Sequence, residues 1–415
     1  MSTDLFSPLV LPSGLVLGNR IAKAAMEEGL AGRAQLPDER LVSLYRRWGA
    51  GGAGLLITGN VMVHKEALTG PRGVVLDADS PLDPFERWAE AGKAGGAAMW
   101  MQISHPGRQV LASMPGVVWA PSTVGVDLGR HTKRFGKPSA MTPEQIDATV
   151  RRFATTAALA EAAGFDGAEI HGAHGYLLSQ FLSPLANRRT DEWGGALDNR
   201  ARMLLDVVRA VRSAVSPAFA VAVKLNSADF QRGGFDASDA QRVIAMLAPL
   251  GVDLVELSGG SYESPAMSGR PTDARTMARE AYFLDLATEL AATSPLPLML
   301  TGGISRRDTA EKVLAGGIAV VGMATAMAVT PDLPDRWRAG EDVARRLRPV
   351  TWSDKILASA ASMALVRYQL RRIARGTDPV LGTRPAYALV CDNLDQNRAL
   401  RHYRSWLQAQ RKDPR

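Results

Sequence analysis

Two histidines and a tyrosine lie close together in the sequence: His171, His174 and Tyr176 follow the short apolar run 167–170. The residues between these three are glycine or alanine, so a planar ligand could approach the backbone there. Two neutral imidazoles can donate two hydrogen bonds to one oxygen, which suits a carbonyl or enolate on which negative charge develops. The phenol of Tyr176 could then deliver a proton.

Two other interpretations of the histidine pair stay open, half of a zinc site and packed core histidines. A zinc site needs further ligands. With six histidines and one cysteine in the chain, no second cluster of ligands stands out. We therefore expect no metal, and the residues alone do not exclude the core interpretation.

The longer stretch from Ala168 to Arg200 reads AEIHGAHGYLLSQFLSPLANRRTDEWGGALDNR. Its pieces HGAHGYLLSQFLSP, NRRTDEWGG and DNR resemble the Old Yellow Enzyme family of FMN-dependent ene reductases, in the branch with a His/His rather than a His/Asn pair. The run is long and ordered, so it is more specific than a lone motif. The resemblance covers roughly residues 1–340.

The resemblance implies FMN as cofactor, NADH or NADPH as reductant, and hydride transfer from the flavin N5 to an alkene conjugated to a carbonyl or nitro group. In that reaction His171 and His174 would hold the electron-withdrawing oxygen, and Tyr176 would protonate the α-carbon. No separate fingerprint for the nicotinamide cofactor is expected, because in this family it takes the substrate's place over the flavin.

Eight short apolar runs alternate with helical patterns, which predicts an α/β fold of the (β/α)8 barrel class. Apolar runs around Pro-Ser-Gly in 9–17 predict an N-terminal hairpin at the bottom of the barrel. A doubly wound sheet is disfavoured because no glycine-rich dinucleotide fingerprint follows the first strand. Helix caps are predicted at Thr142, Asp198, Ser305 and Ser353. The predicted strands are 21–25, 55–58, 98–102, 167–170, 220–225, 254–257, 298–301 and 319–322.

Polar residues at the strand ends of such a barrel converge on one mouth. Gln102 ends the third predicted strand, and its amide can both donate to and accept from the pyrimidine edge of a flavin. Lys224 ends the fifth, and a cation there would need an anionic partner. The reduced flavin, negative near its N1, would be such a partner and would have its potential raised. The alternatives are a surface amide and a lysine that reaches solvent.

A phosphate site is expected near the last two strands, where barrels commonly hold one. Gly302 and Gly303 form a loop without side chains before a helix N-terminus, and Ala324 and Thr325 supply a second set of N–H groups. The family usually carries Gly-Arg at these last two positions. The resemblance therefore implies weaker FMN binding, or another cation in place of the arginine.

The loop after the first strand also departs from the family. The resemblance places Ala24, Ala25 and Met26 under the isoalloxazine ring and Asn60 beside it. Glu27 stands where Thr or Cys is typical, and an ionised carboxylate there would lower the flavin potential. The alternative is that the loop shifts and both this carboxylate and that of the next residue face water.

The chain has 415 residues, 46% hydrophobic and 22% charged, enough for one large domain and an extension. We expect the FMN-binding barrel over 1–340 and a basic helical extension over 341–415. The extension holds 15 Lys and Arg against 7 Asp and Glu, whereas the rest holds 34 against 35. We expect a homo-oligomer through this extension and no nucleic-acid partner, although most basic runs are solvated helix faces.

One cysteine, Cys391, excludes internal disulfides and a four-cysteine iron–sulfur site. Relatives such as dienoyl-CoA or amine dehydrogenases, which carry such clusters, are disfavoured for this reason. No signal-like leader and no run of membrane-spanning length is present, so we expect a cytoplasmic protein that does not span a membrane. The remaining alternatives are a flavin-free metal-dependent hydrolase and an FMN-binding protein with a regulatory role. The long segment 111–137 is expected to form a lid or substrate wall.

Overall fold

The computed structural model describes residues 4–264, 281 and 283–412. Eight of its strands run parallel and close into a barrel, which confirms the predicted (β/α)8 class. The strands are β1 (Leu9–Val10), β2 (Val16–Leu17), β3 (Ile21–Lys23), β4 (Leu55–Ile57), β5 (Val61–Met62), β6 (Val74–Val75), β7 (Ala98–Ser104), β8 (Trp119–Ala120), β9 (Ser139–Ala140), β10 (Gly167–Gly172), β11 (Ala220–Asn226), β12 (Leu254–Ser258), β13 (Leu298–Thr301) and β14 (Val320–Met323).

Barrel strands pair in the order β10, β11, β12, β13, β14, β3, β4, β7, and β7 pairs again with β10. The helices are α1 (Glu39–Gly49), α2 (Asp83–Lys93), α3 (Pro143–Ala162), α4 (Leu177–Leu182), α5 (Leu197–Ala214), α6 (Ala237–Leu247), α7 (Leu284–Ala291), α8 (Arg307–Ala315), α9 (Thr325–Val329), α10 (Leu333–Arg338), α11 (Lys355–Ile373) and α12 (Pro385–Lys412). None of these described helices combines the length and the apolarity needed to cross a bilayer.

The barrel strands bury both faces, because alternate side chains point into the barrel and toward the helices. In β11, Val221 and Val223 pack in the large cluster between strands and helices. Ala220 and Ala222 of the same strand belong to a smaller cluster inside the barrel, together with Leu11 and Leu17 of the β1–β2 hairpin. The predicted hairpin is therefore present, and its apolar residues pack at the N-terminal ends of the strands.

Predicted helix caps agree with the structure at one of four positions. Thr142 forms a capping box with Gln145 at the start of α3. Asp198 and Ser305 are wrong, since α5 and α8 begin after Ala196 and Arg306, without a side-chain cap. Ser353 is also wrong. The cap of α11 is Asp354, whose carboxylate accepts from two backbone N–H groups of the first turn; a carboxylate one position later replaces the predicted hydroxyl.

The extension folds back onto its own barrel. Helices α11 and α12 pack together through a small cluster that includes Ala361, Leu365 and Ala388. Tyr403 and Leu407 of α12 pack against residues around β5 and β6. The second helix is much longer than the predicted 395–407, because it starts at Pro385, a residue suited to the first helical position.

Candidate active site

His171, His174 and Tyr176 lie together at the C-terminal end of β10. The imidazole centroids of the two histidines are 5.1 Å apart, and that of His171 is 4.8 Å from the Tyr176 ring. His174 has φ of 61°, a left-handed conformation that is uncommon for a residue with a side chain. Strain of this kind persists where neighbouring contacts over-determine the backbone.

Those contacts to His174 come from three other elements. Its backbone N–H donates to Asn226 Oδ1 at 3.0 Å, and its carbonyl accepts from Gln109 Nε2 at 3.0 Å. Its ring Nε2 lies 2.8 Å from Ser258 Oγ. Asn226 and Ser258 are the last residues of β11 and β12, so the barrel mouth itself fixes this imidazole.

Both imidazoles are neutral at neutral pH. Burial, and then the charge of Lys224, lowers the pKa of His171 to about 3. Burial and His171 lower the pKa of His174 well below its usual value. His171 Nδ1 is buried and has no hydrogen-bond partner in the described part of the chain. A neutral ring with a free nitrogen can hold the oxygen of a ligand.

Tyr176 has a second phenol as neighbour, that of Tyr262. The two hydroxyl oxygens are 3.1 Å apart. Burial, and then Tyr262, raises the pKa of Tyr176 well above its usual value, so the phenol keeps its proton. Phe135 packs 5.9 Å from the Tyr262 ring, which brings the long segment 111–137 to the site. Sequence reasoning missed Tyr262, although its position soon after β12 was a detectable signal.

Gln102 and Lys224 lie inside the barrel rather than at its rim, because β7 and β11 each continue two residues beyond them. Gln102 Nε2 donates to Glu169 Oε2 at 2.6 Å, and Lys224 Nζ donates to Glu256 Oε1 at 2.6 Å. All four side chains are buried. The surface amide and the solvent-reaching lysine are therefore wrong, and two carboxylates that sequence reasoning missed are their partners.

The charges inside the barrel nearly balance. Burial and Glu256 raise the pKa of Glu169 far above its usual value, so this carboxyl is neutral. Burial opposes ionisation of Glu256, but Lys224 and the smaller effects of Glu169 and Thr301 together outweigh burial and lower the pKa of Glu256. Burial likewise opposes the charge on Lys224, and the two carboxyl groups outweigh it and raise the pKa of Lys224. The result is one ion pair and one protonated carboxyl group.

The loop after β3 is held by its second carboxylate. Glu28 is buried and accepts from the Gly59 N–H at 2.9 Å and from Tyr45 Oη, and its carboxylate lies 3.4 Å from Lys23 Nζ. The alternative in which both carboxylates face water is therefore wrong for Glu28. This contact ties the loop after β3 to the loop after β4, where Asn60 is buried next to Gly59.

Glu27 lies in the same loop and is partly exposed. Its carboxylate accepts from Thr69 Oγ1 at 2.8 Å and lies 3.6 Å from Arg367 Nη2, in α11 of the extension. On the same loop Ala24 is fully buried, and Ala25 and Met26 are half-buried. No local sequence pattern could have indicated Arg367, which is separated from Glu27 by most of the chain.

The glycine pair after β13 has the backbone that its sequence indicated. Gly302 and Gly303 have φ of 154° and 71°, conformations that favour glycine. Ala324 precedes Thr325, the first residue of the short α9, on the neighbouring strand end. Arg346 Nε donates to Ser305 Oγ at 3.3 Å, which brings a guanidinium to this loop. The resemblance had left the identity of such a cation open.

In the part of the chain that the structure describes, no group of three His, Cys, Asp or Glu side chains is arranged to hold a metal ion. His174 Nε2 contacts a serine hydroxyl, that of Ser258.

Comparison with known proteins matches most of the chain to one family. A family model for the NADH:flavin oxidoreductase / NADH oxidase family matches residues 4–343. NADH-dependent flavin oxidoreductase iliE of Hypocrea jecorina (strain QM6a) is 37% identical over an alignment of 349 positions, which covers 79% of this chain and 87% of that protein.

Two solved structures are similar in fold. An old yellow enzyme homologue from Zymomonas mobilis superposes with a TM-score of 0.69 at 25% identity, over 82% of this chain and 94% of that one. 2-Naphthoyl-CoA reductase superposes with a TM-score of 0.74 at 25% identity, over 82% of this chain. This chain covers 53% of the reductase, about half of its length.

Proposed function

Because the chain belongs to the NADH:flavin oxidoreductase / NADH oxidase family, we propose that it reduces alkenes activated by a neighbouring carbonyl or nitro group. The chain is an FMN-dependent oxidoreductase that uses NADH or NADPH, as its similarity to flavin oxidoreductases and to an old yellow enzyme homologue indicates. FMN, when bound, carries a hydride from the reduced nicotinamide to the β-carbon of the alkene.

The observation that carries the proposal is a pair of neutral imidazoles, His171 buried and His174 partly exposed, beside a protonated phenol. His171 and His174 hold the carbonyl or nitro oxygen and stabilise the negative charge that develops on it. Tyr176 gives its proton to the α-carbon and regains one from solvent. Hydride and proton together saturate the double bond, so the alkene is reduced as the nicotinamide is oxidised.

The residues around the mouth suit FMN. The loop at Gly302 and Gly303 presents backbone N–H groups without side chains, which suits a phosphate. Ala24 and Ala25 leave room for a planar ring next to the strand end. Gln102 and Lys224 are the amide and the cation that would bind the cofactor ring, and Asn60 and Met26 would contact the same ring.

A visible spectrum of the purified protein tests the proposal. We expect a flavin band that bleaches anaerobically with NADH or NADPH and returns when 2-cyclohexenone is added. Cyclohexanone, which lacks the double bond, is the matched control and should not restore the band. A colourless protein that takes up no FMN would refute the cofactor, and a bleached band that no enone restores would refute the alkene substrate.

Arg346 supports phosphate binding in place of the family's missing arginine. We expect Arg346→Ala to raise the dissociation constant of FMN about 10-fold, the size of one charge-assisted hydrogen bond to phosphate. Titration of the flavin-free protein with FMN, followed by quenching of flavin fluorescence, measures this. Arg345→Ala is the control for loss of a neighbouring positive charge, and an equal effect of both variants would contradict a specific role.

Exposed apolar residues on α12 favour a homo-oligomer that forms through the extension. Tyr387, Val390 and Leu394 of α12 are 56%, 57% and 55% exposed and share one helix face. An exposed apolar stripe of this kind suits a second copy of the same helix. Light scattering should give a mass above that of the 44.4 kDa chain. Val390→Asp/Leu394→Asp should reduce it to one chain, whereas Asn393→Asp, an exposed position beside the stripe, should not.

A further inference from the structure

The C-terminal extension contacts the loop after β3 through one arginine that is mostly buried. Arg367 of α11 is 13% exposed in its side chain, and its Nη2 lies 3.6 Å from Glu27 Oε2. Asp392 of α12 holds the other end of the guanidinium, with 2.8 Å between Nη1 and Oδ2. Thr69 fixes the carboxylate of Glu27 from the barrel side. Each partner of the Glu27–Arg367 pair therefore has a second contact, Glu27 with Thr69 of the barrel and Arg367 with Asp392 of α12.

This ion pair acts electrostatically on the two phenols of the site. Burial raises the pKa of Tyr262 to about 12, Glu27 adds to the rise, and Arg367 opposes it. The same carboxylate raises and the same guanidinium lowers the pKa of Tyr176, after the larger effects of burial and Tyr262. The charges of Glu27 and Arg367 therefore act on both phenols in opposite directions.

The neighbouring charged residues pair with one another, and Arg367 is the counter-ion of Glu27. Asp392 is shared between Arg367 and Arg371, and Asp395 pairs with Arg72 at 2.7 Å. In the ranges that the structure describes, the contact with Arg367 is the ion pair that Glu27 makes. Arg367 also lies outside residues 4–343, the segment shared with the family.

We propose that Arg367 is a positioning residue of the active site, supplied by the chain's own C-terminal extension, which holds Glu27 in place and offsets its negative charge beside Tyr176 and Tyr262. The proposal rests on the proposed function, since it assigns Tyr176 the role of proton donor. When Tyr176 gives its proton to the α-carbon, a phenolate forms, and an uncompensated Glu27 would oppose that charge. Hydride uptake from NADH takes no proton from this phenol.

The two halves of the reaction should therefore respond differently to Arg367→Met. Followed anaerobically by stopped-flow absorbance, reoxidation by 2-cyclohexenone should slow about 10-fold or more, while reduction by NADH changes by less than about 3-fold. Glu27→Gln/Arg367→Met should recover reoxidation to within about 3-fold of Glu27→Gln alone, because the uncompensated charge is gone. Arg367→Lys, which keeps a cation, should lose less than Arg367→Met.

A second measurement, the midpoint potential of bound FMN, reports on the charge near the cofactor and does not depend on turnover. The midpoint potential of bound FMN should fall in Arg367→Met and return toward the wild-type value in Glu27→Gln/Arg367→Met, since a carboxylate disfavours the reduced, more negative flavin. Arg72→Met is the matched control. It removes an ion pair of similar burial between barrel and extension and leaves Glu27 untouched, so neither the potential nor the ratio of the two half-reactions should change.

Equal loss of both half-reactions, or no recovery in the double variant, would overturn the proposal and make Arg367 a purely structural clamp. Failure of the proposed function is a different result. If the protein binds no FMN, unfolding midpoints of the four Glu27 and Arg367 variants still test whether Arg367 compensates the charge of Glu27. A double variant at least as stable as Arg367→Met supports charge compensation, and one that is less stable by the sum of both single losses contradicts it.

Discussion

His171→Ala is expected to slow reoxidation of the bound flavin by 2-cyclohexenone by about 10²–10³-fold, the cost of removing one donor from an oxyanion-stabilising pair. The reason is geometric and electrostatic. His171 is neutral, buried and 5.1 Å from His174 between ring centroids, and its Nδ1 has no hydrogen-bond partner in the described residues. In the proposed reaction its N–H would meet the substrate oxygen in a water-poor site, where a hydrogen bond is stronger than in water.

The control for this prediction keeps a donor at the same place. His171→Asn should lose about 10-fold or less, because an amide N–H can reach the same oxygen with poorer geometry. Both rates are measured by stopped-flow absorbance on protein loaded with FMN, and the flavin spectrum confirms loading. Equal losses in His171→Ala and His171→Asn, with unchanged flavin binding, would show that the ring does not act as a donor.

The same burial predicts how the site responds to pH. With the pKa of His171 near 3 and that of His174 well below its usual value, neither ring takes up a proton near neutral pH, so the histidines add no step to the rate profile there. Stability behaves differently. In the unfolded chain the rings take up protons below about pH 6.5, so folded stability is lost as the pH falls below that value. His171→Ala should reduce this acid sensitivity.

The sequence predicted the barrel because each strand run is short, apolar and followed by a helical pattern. In a parallel barrel both faces of a strand are buried, so its residues indicate a strand without any knowledge of its partners. The histidines and Tyr176 were predictable for a related reason. They follow a strand end directly, and in this fold strand ends meet at one mouth.

Partners across strands were not predictable in the same way. Glu169 lies two residues before His171, and Glu256 lies opposite Lys224 in the β11–β12 register. An acidic residue inside an apolar strand needs a partner, so the sequence could indicate that Glu169 and Glu256 each have one. It could not indicate which residue the partner is, because pairing depends on the register between strands that are far apart in sequence.

Contacts made by the extension were the least predictable. Arg367 and Glu27 are separated in sequence by most of the chain. The periodicity of α11 indicates only that one face of the helix packs against another element. The missing phosphate arginine is a similar case. The family resemblance places Thr325 at the position of that arginine, but the approach of Arg346 to Ser305 depends on the path of an irregular segment.

Lys224→Met is expected to destabilise the protein by about 3–5 kcal/mol, the usual cost of leaving a buried charge without its partner. Lys224 and Glu256 are 3% and 0% exposed in their side chains, 2.6 Å apart. Replacing both, in Lys224→Met/Glu256→Gln, should recover most of that loss, because no buried charge is then left alone. Chemical denaturation followed by tryptophan fluorescence measures both variants. The exposed Lys312, which pairs with Asp308, gives the control, and Lys312→Met should cost less than about 0.5 kcal/mol.

Lys224 has two proposed roles, the ion pair with Glu256 and binding of the cofactor ring, and the affinity for FMN distinguishes them. An ammonium has three donors, and the described contacts of Lys224 use one, toward Glu256. If the other two donors bind the cofactor ring, Lys224→Met/Glu256→Gln should regain stability but bind FMN about 10-fold more weakly than the wild type. That factor is the value of one charge-assisted hydrogen bond. A double variant that is stable and binds FMN with wild-type affinity would show that Lys224 serves the ion pair alone. In that case the flavin site must be sought higher, between the imidazoles and the loop after β3.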